Sequence, residues 1–268
     1  MTLRIGDLAF EYDSESVLDG VELDVGRGEL LGLVGPNGSG KSTLLRCVDR
    51  ILEPQAGHVY VDGEDLEAAS REAVARTVGY VPQQETSTFP ATVFDTVMMG
   101  RKPYISWRPT DEDRGRVANV IDALGLSELA LRDITELSGG QRQKVLVGRA
   151  LAQDTEVLLL DEPTASLDVR HQLEVLDLVR EQADGGITVI MAMHDLNLAA
   201  RYSDALAMLY DERIFAVGTP EEVLTPENIR TGYGIDATVT EHNGRLLVVP
   251  EKPAADAGDP TPLEATTD

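Results

Sequence analysis

Gly35-Pro36-Asn37-Gly38-Ser39-Gly40-Lys41-Ser42 decides how this chain is read. It fits the pattern G-x-x-x-x-G-K-[ST], in which closely spaced glycines let backbone N–H groups approach a phosphate without side-chain clash. The apolar run from Glu29 to Val34 precedes it as a strand, and Ser42 to Arg50 follows as a helix whose positive end meets the anion. Strand, glycine-rich loop and helix are the setting that gives the pattern meaning. Lys41 supplies a mobile charge for the outer phosphates, and Ser42 offers a hydroxyl to Mg²⁺.

Downstream, the apolar run Val157-Leu158-Leu159-Leu160 reads as a buried strand that ends in Asp161-Glu162. Phosphoryl transfer asks a protein mainly for positioning and charge stabilisation. Asp161 suits the metal, and Glu162 suits orientation of the attacking water. An acidic pair before Pro163 could instead cap a helix. That reading does not explain the apolar run, the pair and the distant phosphate loop together.

Between these two sites stands Leu137-Ser138-Gly139-Gly140-Gln141, a second glycine-rich start to a helix, twenty residues ahead of Asp161. In this order the three motifs resemble the ATP-binding subunits of ATP-binding-cassette (ABC) transporters. The resemblance covers nearly all of residues 1–250. It implies an α/β P-loop NTPase core with a mostly parallel sheet, an N-terminal antiparallel β subdomain and an inserted helical subdomain over about residues 85–150. ATP and Mg²⁺ are the implied cofactors. Tyr12 matches the family's adenine-stacking aromatic, with Val17 beside the base and Gly35 to Thr43 around the phosphates. Gln83 matches the residue that links metal and water to the helical insert, and His194 matches the switch histidine at the γ-phosphate. Ser42, Gln83 and Asp161 form the implied metal set, and Glu162, His194 and Gln83 the catalytic set.

One ATP does not easily occupy both helix starts of one monomer. In the family two copies meet head to tail, so Ser138, Gly139, Gly140 and Gln141 act in trans on the partner's ATP. Ser166-Leu167-Asp168 matches the loop that crosses the seam, with Asp168 at the dimer contact. Further partners implied are membrane permease subunits and, indirectly, an external substrate-binding protein.

Several stretches are similar to importers of iron–siderophore complexes, haem and cobalamin. They are Thr92-Val93 with Gly100-Arg101-Lys102-Pro103-Tyr104, then His194-Asp195-Leu196-Asn197-Leu198-Ala199, and Gly218-Thr219-Pro220 through Pro226 and Ile229. Iron(III)–siderophore uptake is the leading expectation, with cobalamin, haem or molybdate import as alternatives. A soluble ABC ATPase of DNA repair or translation is the alternative from another class. Such proteins usually carry two cassettes or a long coiled-coil insert, and neither shows here.

Composition bounds the rest. The 268 residues carry 47 acidic against 23 basic side chains, a net charge of −24, with lysine only at positions 41, 102, 144 and 252. That balance argues against a nucleic-acid partner. It suggests a salt-adapted cytoplasm, since self-repulsion at this charge needs screening. No apolar run reaches the length of a membrane span, and the first residues lack a secretory leader. A cytoplasmic protein on the inner face of the membrane is expected. Single Cys47 excludes an internal disulfide, and the four histidines are scattered, with no spaced metal cluster. Asn243-Gly244 between apolar runs marks a hairpin. From Glu251 to Asp268 the composition predicts a disordered acidic tail.

Overall fold

The computed structural model describes residues 3–83, 90–165 and 167–254. β1 (Leu3–Tyr12) and β2 (Glu15–Val25) pair antiparallel. The sequence suggests two short strands where β1 is one. Its inward residues change phase, from Leu3 and Ile5 to Leu8 and Phe10, because the register shifts between Ile5 and Leu8. A bulge of one residue moves every following side chain to the other face.

β3 (Leu30–Val34) leads through the phosphate loop into α1 (Lys41–Val48). β4 (Ala56–Val61) and β5 (Glu64–Asp65) complete an antiparallel sheet of order β2-β1-β4-β5. α2 (Arg71–Thr77), capped by Ser70, precedes β6 (Val78–Val81).

The helical layer begins with α3 (Val93–Met98), which continues as a 3₁₀ segment over Met99–Tyr104. α4 (Asp111–Ala123) and α5 (Gly139–Ala152) follow. Val117 and Ile121 of α4, with Leu124 just past its end, pack on Val93, Val97 and Val145, as their helical spacing predicts. Two other features of the sequence hold this layer together. Gly100 sits so close to α5 that a Cβ there would lie 1.9 Å from the Arg149 carbonyl oxygen. Arg101 is buried; it donates to Asp113 Oδ1 at 2.9 Å and to the Ala152 carbonyl at 3.0 Å.

The chain returns through β7 (Val157–Asp161), α6 (Val169–Asp184), β8 (Thr188–Ala192), α7 (Leu196–Tyr202), β9 (Ala205–Tyr210) and β10 (Arg213–Gly218). Six strands form the central sheet in the order β10-β9-β3-β8-β7-β6, parallel except for β10 at its edge. Every residue of β3, β7 and β8 is buried, which explains their unbroken apolar runs.

α8 (Pro220–Val223), α9 (Pro226–Tyr233) and the hairpin β11 (Ile235–His242)–β12 (Arg245–Pro253) close the fold. Asn243 and Gly244 make its turn, both with positive φ, as the type I′ geometry requires. β12 extends to Pro253, pairing Lys252 with Asp236 and Pro253 with Ile235. Residues 251–253 are therefore strand, where composition alone predicts tail; register with β11 outweighs local polarity. Residues 255–268 of the expected tail lie outside the described residues.

Candidate nucleotide site

Parallel α/β sheets place ligands at the carboxyl ends of their strands. Here the loop after β3, the end of β7, the turn after β8 and the end of β6 converge on one cavity of about 450 Å³. Its walls are Asn37 to Thr43 of the loop and α1, Gln83, Glu162 and His194, with Tyr12 and Val17 from the antiparallel sheet.

The loop is held in shape by its own glycines. Gly35 has φ +150°, and a Cβ on it would lie 2.2 Å from the Leu209 carbonyl oxygen. Gly40, with φ +100°, starts α1 beneath Val17 and Leu18. Lys41 is only 5% exposed and donates to the carbonyls of Gly35 at 2.8 Å and Pro36 at 2.9 Å. Burial lowers its pKa, while Glu162 and Asp161 pull the other way. The buried Ser39 hydroxyl has no partner among the described residues.

Asp161 is fully buried at the end of β7. Its Oδ1 accepts from Ser42 Oγ at 2.8 Å, and its Oδ2 accepts from the Tyr80 hydroxyl at 3.2 Å. Glu162 is 8% exposed and takes a left-handed backbone, φ +50°, rare for a side chain of this size. Its two carboxylate oxygens meet different neighbours: Oε2 accepts from Gln83 Nε2, and Oε1 contacts His194 Nε2. Gln83, Glu162 and His194 thus stand in line across β6, β7 and β8. The oxygen set of Ser42 Oγ, Asp161 and the Gln83 amide carbonyl is the hard donor chemistry Mg²⁺ prefers. Bound there, the ion would supply positive charge against the phosphates.

Tyr12 lies at the rim, 42% exposed, with its ring edge-on to Phe10 at 4.8 Å. That leaves a face for a planar ligand, a contact worth about 1 kcal/mol.

The second glycine-rich segment does not join this cavity. Ser138 caps α5 by accepting from Gln141 N–H at 3.3 Å, and Gln141 Oε1 returns the bond to Ser138 N–H at 3.1 Å. Ser138 and Gly139 are exposed. Asp168 caps α6, and its Oδ1 accepts from the His171 backbone N–H at 2.9 Å. The His171 ring abuts Gly140, where a Cβ would meet it at 2.8 Å. Ser166, named with Asp168 in the seam motif, lies outside the described residues. Elsewhere, His58 Nδ1 has Asp65 at 3.7 Å and Glu67 at 3.4 Å. This group lies on the antiparallel sheet and is not among the cavity's lining residues.

Two residues of the site escape the motif reading. Tyr80 bonds Asp161 and also accepts from Arg46 Nε at 3.4 Å; burial pushes its hydroxyl up to about 12. Tyr233 accepts from the Gly35 N–H at 2.7 Å. Tyr80 lies within β6, three residues before Gln83, a detectable signal. Tyr233 is 198 residues from its partner, and no local pattern announces it.

Residues 18–165, over half of the chain, match the family described as ABC transporter. The chain belongs to the ABC transporter family. It is similar to an uncharacterized ABC transporter ATP-binding protein of Methanocaldococcus jannaschii, at 44% identity over 93% of this chain and 98% of that one. The cobalamin import ATP-binding protein BtuD of Halobacterium salinarum is 45% identical over all of this chain, which spans 65% of that longer protein. The ferric enterobactin transport ATP-binding protein FepC of Escherichia coli is 38% identical over 92% and 93% of the two chains. Among solved structures, an inward-facing metal-chelate type ABC transporter aligns at TM-score 0.81 with 30% identity, over 94% and 97% of the chains. A dimeric bacterial ABC transporter cassette aligns at 0.73 with 27% identity, over 81% and 98%. This chain is thus an ABC ATPase, an enzyme whose relatives couple ATP hydrolysis to transport. Among the described residues of this ABC ATPase no helix is long and apolar enough to cross a membrane.

Proposed function

We propose that this ABC ATPase hydrolyses ATP at the seam of a head-to-tail dimer and drives import of an iron(III)–siderophore-type complex through partner permease subunits. The observation that carries the ATPase reading is one cavity lined by Lys41, Ser42, Gln83, Glu162 and His194, with buried Asp161 bonded to the Ser42 hydroxyl behind its wall. In this reading Tyr12 and Val17 hold the adenine. Gly35 through Thr43 hold the phosphates, and Ser42, Asp161 and Gln83 hold Mg²⁺. Glu162 orients the attacking water and His194 faces the γ-phosphate. Each is placed before reaction begins, so little reorganisation is needed as charge develops.

The exposed Ser138–Gly139 tip, apart from the cavity yet built as an anion-binding helix start, supports closure by a second copy. Asp168 would lie at the same seam. Glu162→Gln tests this directly. The variant should bind ATP, lose turnover by a factor on the order of 10²–10³, and elute as a dimer with ATP. A monomer under those conditions refutes the sandwich.

A groove between α2 and the 3₁₀ segment supports permease docking. Arg71, Glu72, Arg76, Met99, Lys102 and Tyr104 line about 780 Å³ there, and Met99 is exposed. Trp107 is also exposed nearby in sequence. Met99→Asp should leave ATPase of the isolated subunit intact and reduce permease-coupled transport. Unchanged transport removes the docking assignment.

The cargo group rests on the named relatives, which include cobalamin, haem, achromobactin, petrobactin and enterobactin systems. Cargo choice belongs to the permease and an external binding protein. The subunit would sit on the inner face of the membrane. The similarity to a Halobacterium protein supports the salt-adapted reading of the −24 charge.

A further inference from the structure

Two sequence features marked the importer group without receiving a role: Asn197 in the segment after His194, and the C-terminal run from Gly218 to Ile229, which leads into α9 and, after it, the β11–β12 hairpin. The structure connects them. The Asn197 side chain pairs with the main chain of Val248 as a neighbouring strand would. Its Oδ1 accepts from Val248 N–H at 2.7 Å, and its Nδ2 donates to the Val248 carbonyl at 3.2 Å. Asp195 caps α7 over the same turn, accepting from the N–H groups of Asn197 and Leu198 at 2.9 and 3.0 Å. His194 is the residue immediately before this cap. The backbone that carries His194 is therefore tied to β12.

At its other end the same C-terminal unit reaches the phosphate loop. Tyr233, the last residue of α9, accepts the Gly35 N–H at 2.7 Å. The Gly35 carbonyl in turn accepts from Lys41 Nζ. Gly234 follows with φ +65°, and its carbonyl accepts from Ala254 N–H at 2.8 Å, which locks the end of the hairpin to the end of α9. Val248 and Ala237 of the hairpin share one buried cluster with Ile229 of α9, Ala199 and Tyr202 of α7, and Met208 of β9.

We infer that the C-terminal unit is a two-point brace on the ATP site, in which Tyr233 and Asn197 are positioning residues. Tyr233 acts through Gly35 and Lys41 on nucleotide binding. Asn197 acts through the α7 turn and His194 on turnover. This assignment rests on the ATP-site reading above, and it adds residues that do not line the cavity. The two contacts have separate targets, so their losses should separate in the kinetics.

The test uses the full chain, with steady-state ATPase and binding of a non-hydrolysable ATP analogue measured on the same preparations. Tyr233→Phe keeps the ring and removes the hydroxyl. It should weaken analogue binding and raise KM by about 3- to 10-fold, the range of one neutral hydrogen bond, with kcat within about 2-fold of wild type. Asn197→Ala should do the reverse, lowering kcat by about 10-fold with KM and analogue affinity unchanged. Asn197→Asp keeps the acceptor for Val248 N–H but sets a carboxylate oxygen against the Val248 carbonyl, and should not recover that loss. The brace is overturned if both variants keep wild-type KM and kcat. It is equally overturned if both lose activity only in proportion to their folded fraction by circular dichroism. Wild-type protein that neither binds the analogue nor turns over ATP would instead refute the ATP-site reading itself.

Discussion

Gly35 shows how little freedom the site leaves to one residue. Its positive φ, the Leu209 carbonyl behind it and the Tyr233 hydroxyl on its N–H each constrain the same position. Gly35→Ala forces a Cβ to 2.2 Å from that carbonyl. The left-handed backbone alone costs a non-glycine residue about 1–2 kcal/mol, and the clash adds to it. Lower thermal stability and loss of nucleotide binding are expected, read by a circular dichroism melt and an ATP-analogue titration. Motif spacing shows that position 35 must be glycine, but not that Leu209 is the reason. The same holds for Arg101. Its segment marks a family group in sequence, whereas in the fold it joins the 3₁₀ segment to α4 and α5 through Asp113 and Ala152.

At the scale of elements, strongly patterned segments were legible and short ones were not. β3, β7 and β8 announce themselves as buried apolar runs, and α4 through its spacing. α2, α8 and α9 are four to eight residues long, too short for periodicity to stand out. Their caps were present all the same: Ser70 for α2, Thr219-Pro220 for α8 and Thr225-Pro226 for α9. One element carries a charge at its wrong end. Asp49 stands at the C-cap of α1, where the helix dipole disfavours an anion, and burial pushes its carboxyl up to about 7. The folded pKa lies above the ordinary value of 3.8, so the folded state holds the proton more tightly. Stability from this group is therefore full at pH below about 4 and is lost as pH rises through about 7. Asp49→Asn should raise stability at pH 8 by on the order of 1 kcal/mol and by a clearly smaller amount at pH 5, measured by urea unfolding at both values.

Across the whole molecule, fold class and the core of the site could be read in advance because phosphate chemistry demands its residues at fixed local spacing. What the chain hides is long-range: Tyr233 on Gly35, Tyr80 on Asp161, Asn197 on Val248. Those contacts exist only once the sheet order is known. Net charge acts at this scale too. With 47 acidic and 23 basic groups the folded chain repels itself. Raising KCl from 0.1 to 2 M shortens the screening length from about 10 Å to under about 3 Å. The melting temperature should rise by on the order of 5 °C or more, followed by differential scanning calorimetry; a flat response would remove the salt-adapted reading.

The line of Gln83, Glu162 and His194 across three neighbouring strands has one more consequence. β7 lies between β6 and β8, so a single carboxylate is gripped from both flanks at once. One grip follows β6, and the other precedes the turn tied to the C-terminal hairpin. Slack on either side frees one oxygen, and both stay held only while the two flanking strands keep their register with β7.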